Sequence, residues 1–368
     1  MHWNWQKKDW PHFVFETVSF QDSLDEFFHN AGQLLGVIKH ISPTDELDLK
    51  FELLTDEALK TSEIEGEFFN RESVQSSIRR QFGLQEDIIR SSPAEFGISE
   101  MMVSLYRSIE EPLTHDIIFS WHRMLCNGRR DLKNIGSYRS GSEPMQVVSG
   151  PIGRPVVHFE APPSESVRNE MDRFLSWFEA TSPKGTTPLH PVLRAGIAHL
   201  YFVSIHPLED GNGRIGRAIA EKALSEGLGR PSLIALSHTI EKYRKSYYEA
   251  LAKNNQNLEI TGWLEYFAET VLLAQKRSLS LVEFIGFKSK LFQKVEGRLN
   301  HRQAKLLNRM FKEGPEGFKG GLSLKNYVTI TAASRATATR DLQDLVEMGV
   351  LYKTGELKGT RYHLLFQN

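Results

Sequence analysis

Between Pro191 and Arg217 the chain has little conformational choice. A segment that starts at Pro191 and runs through Leu193, Ile197, Leu200, Tyr201 and Ser204 has the length and apolar spacing of a buried helix. It leads into His206-Pro-Leu-Glu-Asp210-Gly-Asn-Gly-Arg214-Ile-Gly-Arg217, where glycines bracket a turn that opens a second helix. Glycine lets successive backbone N–H groups converge on an anion at a helix start, and the helix dipole favours negative charge there. Arg214 and Arg217, three residues apart, share one helix face and can reach the same anion. With His206 as a base and Asp210 as a metal-ready carboxylate, the string is suited to a polyphosphate. The same residues contain Gly211-x-Gly213-x-x-Gly216, the spacing of a dinucleotide-binding loop, with Leu233-Ile-Ala-Leu236 as a possible strand. That loop requires a strand directly before its glycines. Here a helix precedes them, so the polyphosphate reading is preferred.

A chain of 368 residues with 40% hydrophobic and 25% charged residues is ordinary globular material, long enough for two or three domains. No apolar run has the length of a membrane span, and the N-terminus lacks the layout of a signal peptide, which points to a cytoplasmic protein without membrane contact. The single cysteine, Cys126, excludes an internal disulfide framework and a cysteine zinc cluster, and reads as a small buried apolar side chain. His190 and His199 lack tight metal-ligand spacing and read as structural. Charge is unevenly spread: from Ile285 onward there are 15 Lys+Arg against 7 Asp+Glu, a balance of +8, which leaves −9 elsewhere.

Three regions are expected: residues 1–98, 99–284 and 285–368. The first opens with Trp3, Trp5, Trp10, Phe13 and Phe15, partly at period two, as an extended aromatic arm docked on the body would. From Leu47 to Leu59 apolar residues recur at helical spacing, and the chain then passes through Thr61-Ser-Glu-Ile-Glu65-Gly66. Taken alone, that stretch is an acidic helix end with Gly66 as its C-cap. The middle region reads as helices interrupted by one hairpin, Met145–Val148 and Pro155–His158 around Gly150-Pro-Ile-Gly153.

The 206–217 string resembles the signature of the Fic family, HPFx[D/E]GNGRxxR, with Leu208 in place of the usual Phe. Thr61-x-x-x-Glu65-Gly66 is similar to the family's inhibitory motif, [S/T]xxxE[G/N], and Gly136-Ser-Tyr-Arg139 to another family segment, to which no role is assigned here. The resemblance implies a mainly α fold: a helical core with a small β-hairpin flap over the target, preceded by an inhibitory helix. It also implies a protein adenylyltransferase that moves AMP from ATP, with Mg²⁺, to a Ser, Thr or Tyr hydroxyl of a target protein or of itself. His206 would be the general base, because imidazole titrates near neutral pH. Asp210 would hold Mg²⁺, which keeps most of its waters and phosphate oxygens. Gly211, Asn212 and Gly213 would cradle the α- and β-phosphates, Arg214 would share the developing charge and Arg217 would meet the γ-phosphate. Glu65 would compete for Arg217, whereas the flanking Glu63 and Glu67 are given no part. Tyr243 and Tyr247 are candidates to stack on the base. Removal of adenylyl groups, a different nucleotide donor, and a nucleotide-sensing DNA-binding transcription regulator remain the alternatives; a homodimer is also compatible.

The tail has the pattern of a winged helix-turn-helix. Ala304, Leu307, Met310 and Phe311 mark one amphipathic helix, Leu322–Tyr327 a short second, and Ser334–Val346 a third. Leu351-Tyr352 and Tyr362–Leu364 mark the wing. Arg335, Thr337, Thr339 and Arg340 on the third helix are candidate DNA contacts. The same fold also serves as a protein-interaction module, and fold does not decide between the two.

Overall fold

The computed structural model describes residues 2–84, 89–149, 156–315, 317–318 and 320–366. Its helices are α1 Gln21–Ile38, α2 Pro43–Ile64, α3 Arg71–Gln81, α4 Pro93–Arg107, α5 His115–Leu125, α6 Val167–Ala180, α7 Pro191–Ile205, α8 Asn212–Leu228, α9 Leu236–Lys242, α10 Arg244–Asn254, α11 Thr261–Lys294, α12 His301–Phe311, α13 Leu324–Thr331 and α14 Arg335–Glu347. Two antiparallel hairpins complete it: β1 Gln146–Ser149 with β2 Val156–Glu160, and β3 Leu351–Thr354 with β4 Arg361–Leu364. The mainly α class with one small hairpin in the middle region is the one read from the sequence. The turn expected at Gly150–Gly153 lies outside the described residues. No helix among the described residues is long and apolar enough to cross a membrane.

The chain divides into two compact units, residues 1–33 with 50–276, and residues 34–49 with 277–368. The expected boundaries at 98 and 285 are therefore not where the structure separates. Residues 50–98 belong to the same unit as the middle region, and position 285 lies inside α11, which carries an uninterrupted helical backbone from 261 to 294. The change in charge after 285 marks surface composition, not a break in the chain's hydrogen bonding.

In the first unit α7 is the central element. Nearly every side chain along it is buried, as for a helix surrounded by others on all sides. Pro191 at its first position and the His190 side chain, which accepts from the Val192 N–H at 3.3 Å, fix its start. The segment before α9 is not a strand, consistent with rejection of the dinucleotide-loop reading. The N-terminal arm is docked but only partly extended: it turns through a short 3-10 helix at Asn4–Gln6, and Val14 makes a parallel bridge with Glu259.

In the second unit α12, α13 and α14 are followed by β3–β4, the order expected of a winged helix. α13 starts at Leu324 and continues to Thr331, longer than the sequence suggested. Ala332 adopts φ +55° and Ser334 caps α14 by accepting from the Thr337 N–H, so the two helices meet through a three-residue turn. Asp341, largely buried, ties the helices together: it accepts from Arg302, Asn300 and the Tyr327 hydroxyl.

Candidate active site

The residues at the junction of α7 and α8 are fixed by backbone geometry before any side chain is considered. His206 caps α7 in the left-handed region at φ +50°, its N–H bonded to the Phe202 carbonyl. A non-glycine residue held there costs energy and persists only where its surroundings impose it. Arg139 does much of that imposing: its Nε donates to the His206 carbonyl at 2.8 Å, its Nη atoms reach Ser164 and the Pro162 carbonyl, and its backbone N–H reaches the Pro207 carbonyl. The sequence reading gave Arg139 no role, and a lone arginine in a loop offers no periodic signal of one. His206 Nδ1 lies 3.2 Å from the Val203 carbonyl. That bond is made by the tautomer with its proton on Nδ1, which leaves Nε2 as the free acceptor. Burial holds the imidazole down to about 4, so the ring is neutral at pH 7.

Gly211 precedes α8 at φ +83°, a conformation that suits glycine, and the first N–H groups of α8 point out of the helix without intrahelical acceptors. The Asn212 side chain is fully engaged elsewhere: it accepts from the Leu208 N–H at 2.9 Å and donates to the Leu208 carbonyl at 2.8 Å. It therefore locks the turn, and only its backbone is available to an anion. Asp210 accepts from the Gly211 N–H and from Arg129 Nη1, both at 2.6 Å, with Arg214 at 3.6 Å. Burial pulls its carboxyl upward, but the Arg214 charge and the Arg129 bond outweigh it and hold it below the usual carboxylate range. Arg129, also bonded to Asp131, is a further participant that the sequence did not disclose.

Arg214 and Arg217 are buried, 4% and 1% exposed, yet both are charged and on one face of α8. Their partners come from the end of α2 and just beyond. Arg217 donates through Nε to the Thr61 hydroxyl and through Nη2 to the Thr61 carbonyl and to Glu65, each at 2.8 Å. Arg214 donates to Glu67 at 2.5 Å. Glu67 thus has a partner in the site, contrary to the sequence reading, whereas Glu63 pairs with Lys60. Gly66, at φ +86°, turns the chain so that both Glu65 and Glu67 face α8. The Glu65 carboxylate sits over Gly213: a methyl group added at Gly213 would lie 2.3 Å from Glu65 Oε1. Arg214 Nε and Arg217 Nη1 are buried with no acceptor among the described residues. Carboxylates fill part of a site whose donors exceed what they can satisfy.

A cavity of about 560 Å³ opens beside these groups, with Glu65, His206 and Gly213 in its wall. Its volume is in the range of small-molecule sites. Tyr247, Tyr248 and Leu251 of α10 line one side, and Val147, Val148 and Phe159 of the hairpin another. Tyr247 is buried, its hydroxyl 2.8 Å from His199 Nε2. Tyr243 is 46% exposed and is not among the lining residues; Tyr248, which the sequence reading passed over, is.

Behind the site, α2 and α8 each contribute a buried carboxyl. Glu57 accepts from the Ser237 N–H and hydroxyl, and Glu221 from the Ser232 hydroxyl. Desolvation pushes Glu57 up to about 7 and, together with the Glu57 charge, Glu221 up to about 8. The folded protein therefore holds protons that the unfolded chain has released above the usual carboxylate range, so stability falls as pH rises toward 8. Urea unfolding at pH 5.5 and pH 8 is expected to show a loss on the order of 5 kcal/mol in the parent, and Glu221→Gln should remove roughly half of it, leaving the share due to Glu57. Equal losses in the two proteins would contradict the assignment.

Residues 112–224 match the Fic/DOC family, and residues 3–84 match a domain of unknown function, DUF4172. The chain thus carries a Fic/DOC domain that contains the α7–α8 junction. A protein adenylyltransferase Fic from Nematostella vectensis is 30% identical over 159 residues, 43% of this chain and 32% of that protein. One from Culex quinquefasciatus is 32% identical over 99 residues, 27% of this chain and 18% of that protein. The matched segments span a third or less of these relatives. Among solved structures, a Fic family protein from Desulfovibrio desulfuricans superposes with a TM-score of 0.53 at 20% identity, covering 95% of this chain and 98% of that one. Fic-1 from C. elegans gives 0.52 at 20% identity, covering 72% of each. These likenesses establish a Fic-type helical fold.

Proposed function

We propose that this Fic-domain chain is a protein adenylyltransferase held in check by Glu65. The observation that carries the proposal is the pairing of Glu65 with Arg217 over Gly213, beside a neutral His206. An anion site at a helix start, with buried arginines and spare donors, is filled by the protein's own carboxylates. Displacing them would admit the phosphates of ATP. An acceptor Ser, Thr or Tyr hydroxyl then attacks the α-phosphorus, its proton passes to His206 Nε2, the bond to pyrophosphate breaks, and AMP remains on the hydroxyl oxygen. The N–H groups of Asn212 and Gly213 and the Arg214 guanidinium stabilise the developing charge, whereas the Gly211 N–H, expected from the sequence to join them, is bonded to Asp210. Asp210, ionised and half-exposed at the helix start, suits Mg²⁺ as a single protein ligand, and the ion would neutralise phosphate charge when bound. Incubating the Glu65→Gly variant with ATP, Mg²⁺ and lysate and reading adenylyl masses on Ser, Thr or Tyr by mass spectrometry tests the reading. If the parent strips adenylyl groups from modified protein and the Glu65→Gly variant loses that ability without adding any, removal is the activity.

A DNA-binding role for the tail is favoured by the exposure of Arg335, Thr339 and Arg340 along the start of α14, Thr337 being only partly exposed. On this reading the full chain binds duplex DNA with an affinity that falls as salt rises. Arg335→Ala with Arg340→Ala flattens the log–log slope by about two. No binding at low salt would favour a protein-interaction module.

A further inference from the structure

The arm that opens the chain makes its bonds on the walls of the cavity beside His206. The Asn4 side chain has no exposed surface, and a buried amide is tolerated only when its polar atoms are bonded. Its Nδ2 donates to the Ser204 hydroxyl at 2.9 Å, two residues before His206, and its Oδ1 accepts from the Trp5 N–H. The Asn4 N–H donates to the Asn255 carbonyl at the end of α10 at 2.8 Å, and the Asn255 side chain donates in turn to the His158 carbonyl of β2. Trp5 Nε1 donates to the Glu160 carbonyl of β2 at 2.7 Å, and Trp3 packs edge-on against Phe159 at 5.3 Å. Ser204, Asn255, His158 and Phe159 all line the cavity. Covering apolar surface alone would need no buried amide, and here one residue meets both helical walls, α7 through its side-chain amide and the end of α10 through its backbone N–H.

A two-stranded hairpin is marginal by itself in water. β1–β2 pairs only with itself among the described strands and exposes Val148 and Val156, so its position is set by what holds it from outside. We infer that the N-terminal arm is a positioning element, with Asn4 and Trp5 as its positioning residues, that fixes the hairpin against α10 over the cavity where an acceptor segment would lie. The part concerning the acceptor rests on the transferase reading; the part concerning the hairpin does not.

The test uses the full chain carrying Asn4→Ala or Trp5→Phe; the second keeps an aromatic ring in place while removing the indole donor and part of the indole's packing surface. Amide hydrogen exchange at 146–148 and 156–160 is expected to speed up about tenfold in the first and roughly threefold in the second, with α7 and α8 within about twofold of the parent. In the Glu65→Gly background, KM for the modified acceptor should rise about fivefold, with kcat and ATP affinity within about twofold. Unchanged hairpin exchange in both variants would overturn the inference. A uniform rise across the first unit would also overturn it, because the arm would then be a general support. If Asn4→Ala fails to fold, Trp5→Phe decides alone. Faster hairpin exchange without any AMP transfer would uphold the positioning role and sink the transferase reading instead.

Discussion

Glu65→Gly is expected to raise the initial rate of AMP incorporation by one to two orders of magnitude at fixed ATP and Mg²⁺. In the parent, Arg217 is held by Glu65 and by two bonds to Thr61, and the carboxylate covers Gly213, where phosphates would approach. Opening a hydrogen-bonded pair in which the arginine is buried and the carboxylate partly exposed costs about 2–3 kcal/mol, which leaves a competent fraction on the order of 1%. The glycine variant removes the competitor, so that Arg217, still oriented by Thr61, can turn its remaining donors to the γ-phosphate. Glu67→Ala is expected to give a smaller gain of about two- to fivefold, because Glu67 holds Arg214 but, unlike Glu65, does not cover Gly213. Glu63→Ala, which breaks only the contact with Lys60, serves as the neutral control. Adding Arg217→Ala to Glu65→Gly should abolish most of the gain. A Glu65→Gly rate no higher than the parent's would rule out inhibition through this residue.

His206→Ala in the Glu65→Gly background should lower the single-turnover rate by about 10²–10⁴-fold, the range for loss of a positioned general base. ATP affinity should stay within about twofold, because the phosphate donors lie at the start of α8 and not on His206. Asp210→Ala should instead weaken the Mg²⁺-dependent part of ATP binding. A single-turnover rate unaffected by His206→Ala would remove the base from the mechanism.

What the sequence disclosed, and what it concealed, follows from the range of the interactions. The string from His206 to Arg217 is legible because its chemistry is local: glycines at a turn, arginines three apart, a helix before and after. The pairing of Glu65 with Arg217 joins residues 152 apart, and only the family resemblance suggested it. Glu67 lies past the Gly66 turn, outside any helical period, in a chain with 46 acidic residues; nothing local marks it as the partner of Arg214. Arg129 and Arg139 act through long side chains that cross loops, which no spacing rule detects. The tyrosines show how a helix break reassigns faces. Tyr243 sits at the junction of α9 and α10 with non-helical φ of −115° and is left at the surface, and α10 restarts at Arg244 with Tyr247 and Tyr248 on the cavity. The early end of the first unit was hidden for the opposite reason: α11 continues through the charge transition without a proline or a cap to mark it.

Transfer of the α-phosphoryl group with its nucleoside is read by supplying the Glu65→Gly variant with ATP labelled on the α-phosphate or, separately, on the γ-phosphate. Protein is expected to acquire the α-label and none of the γ-label, and His206→Ala to eliminate the incorporation. Incorporation of the γ-label, or of neither label by a folded variant that binds ATP, would contradict that transfer.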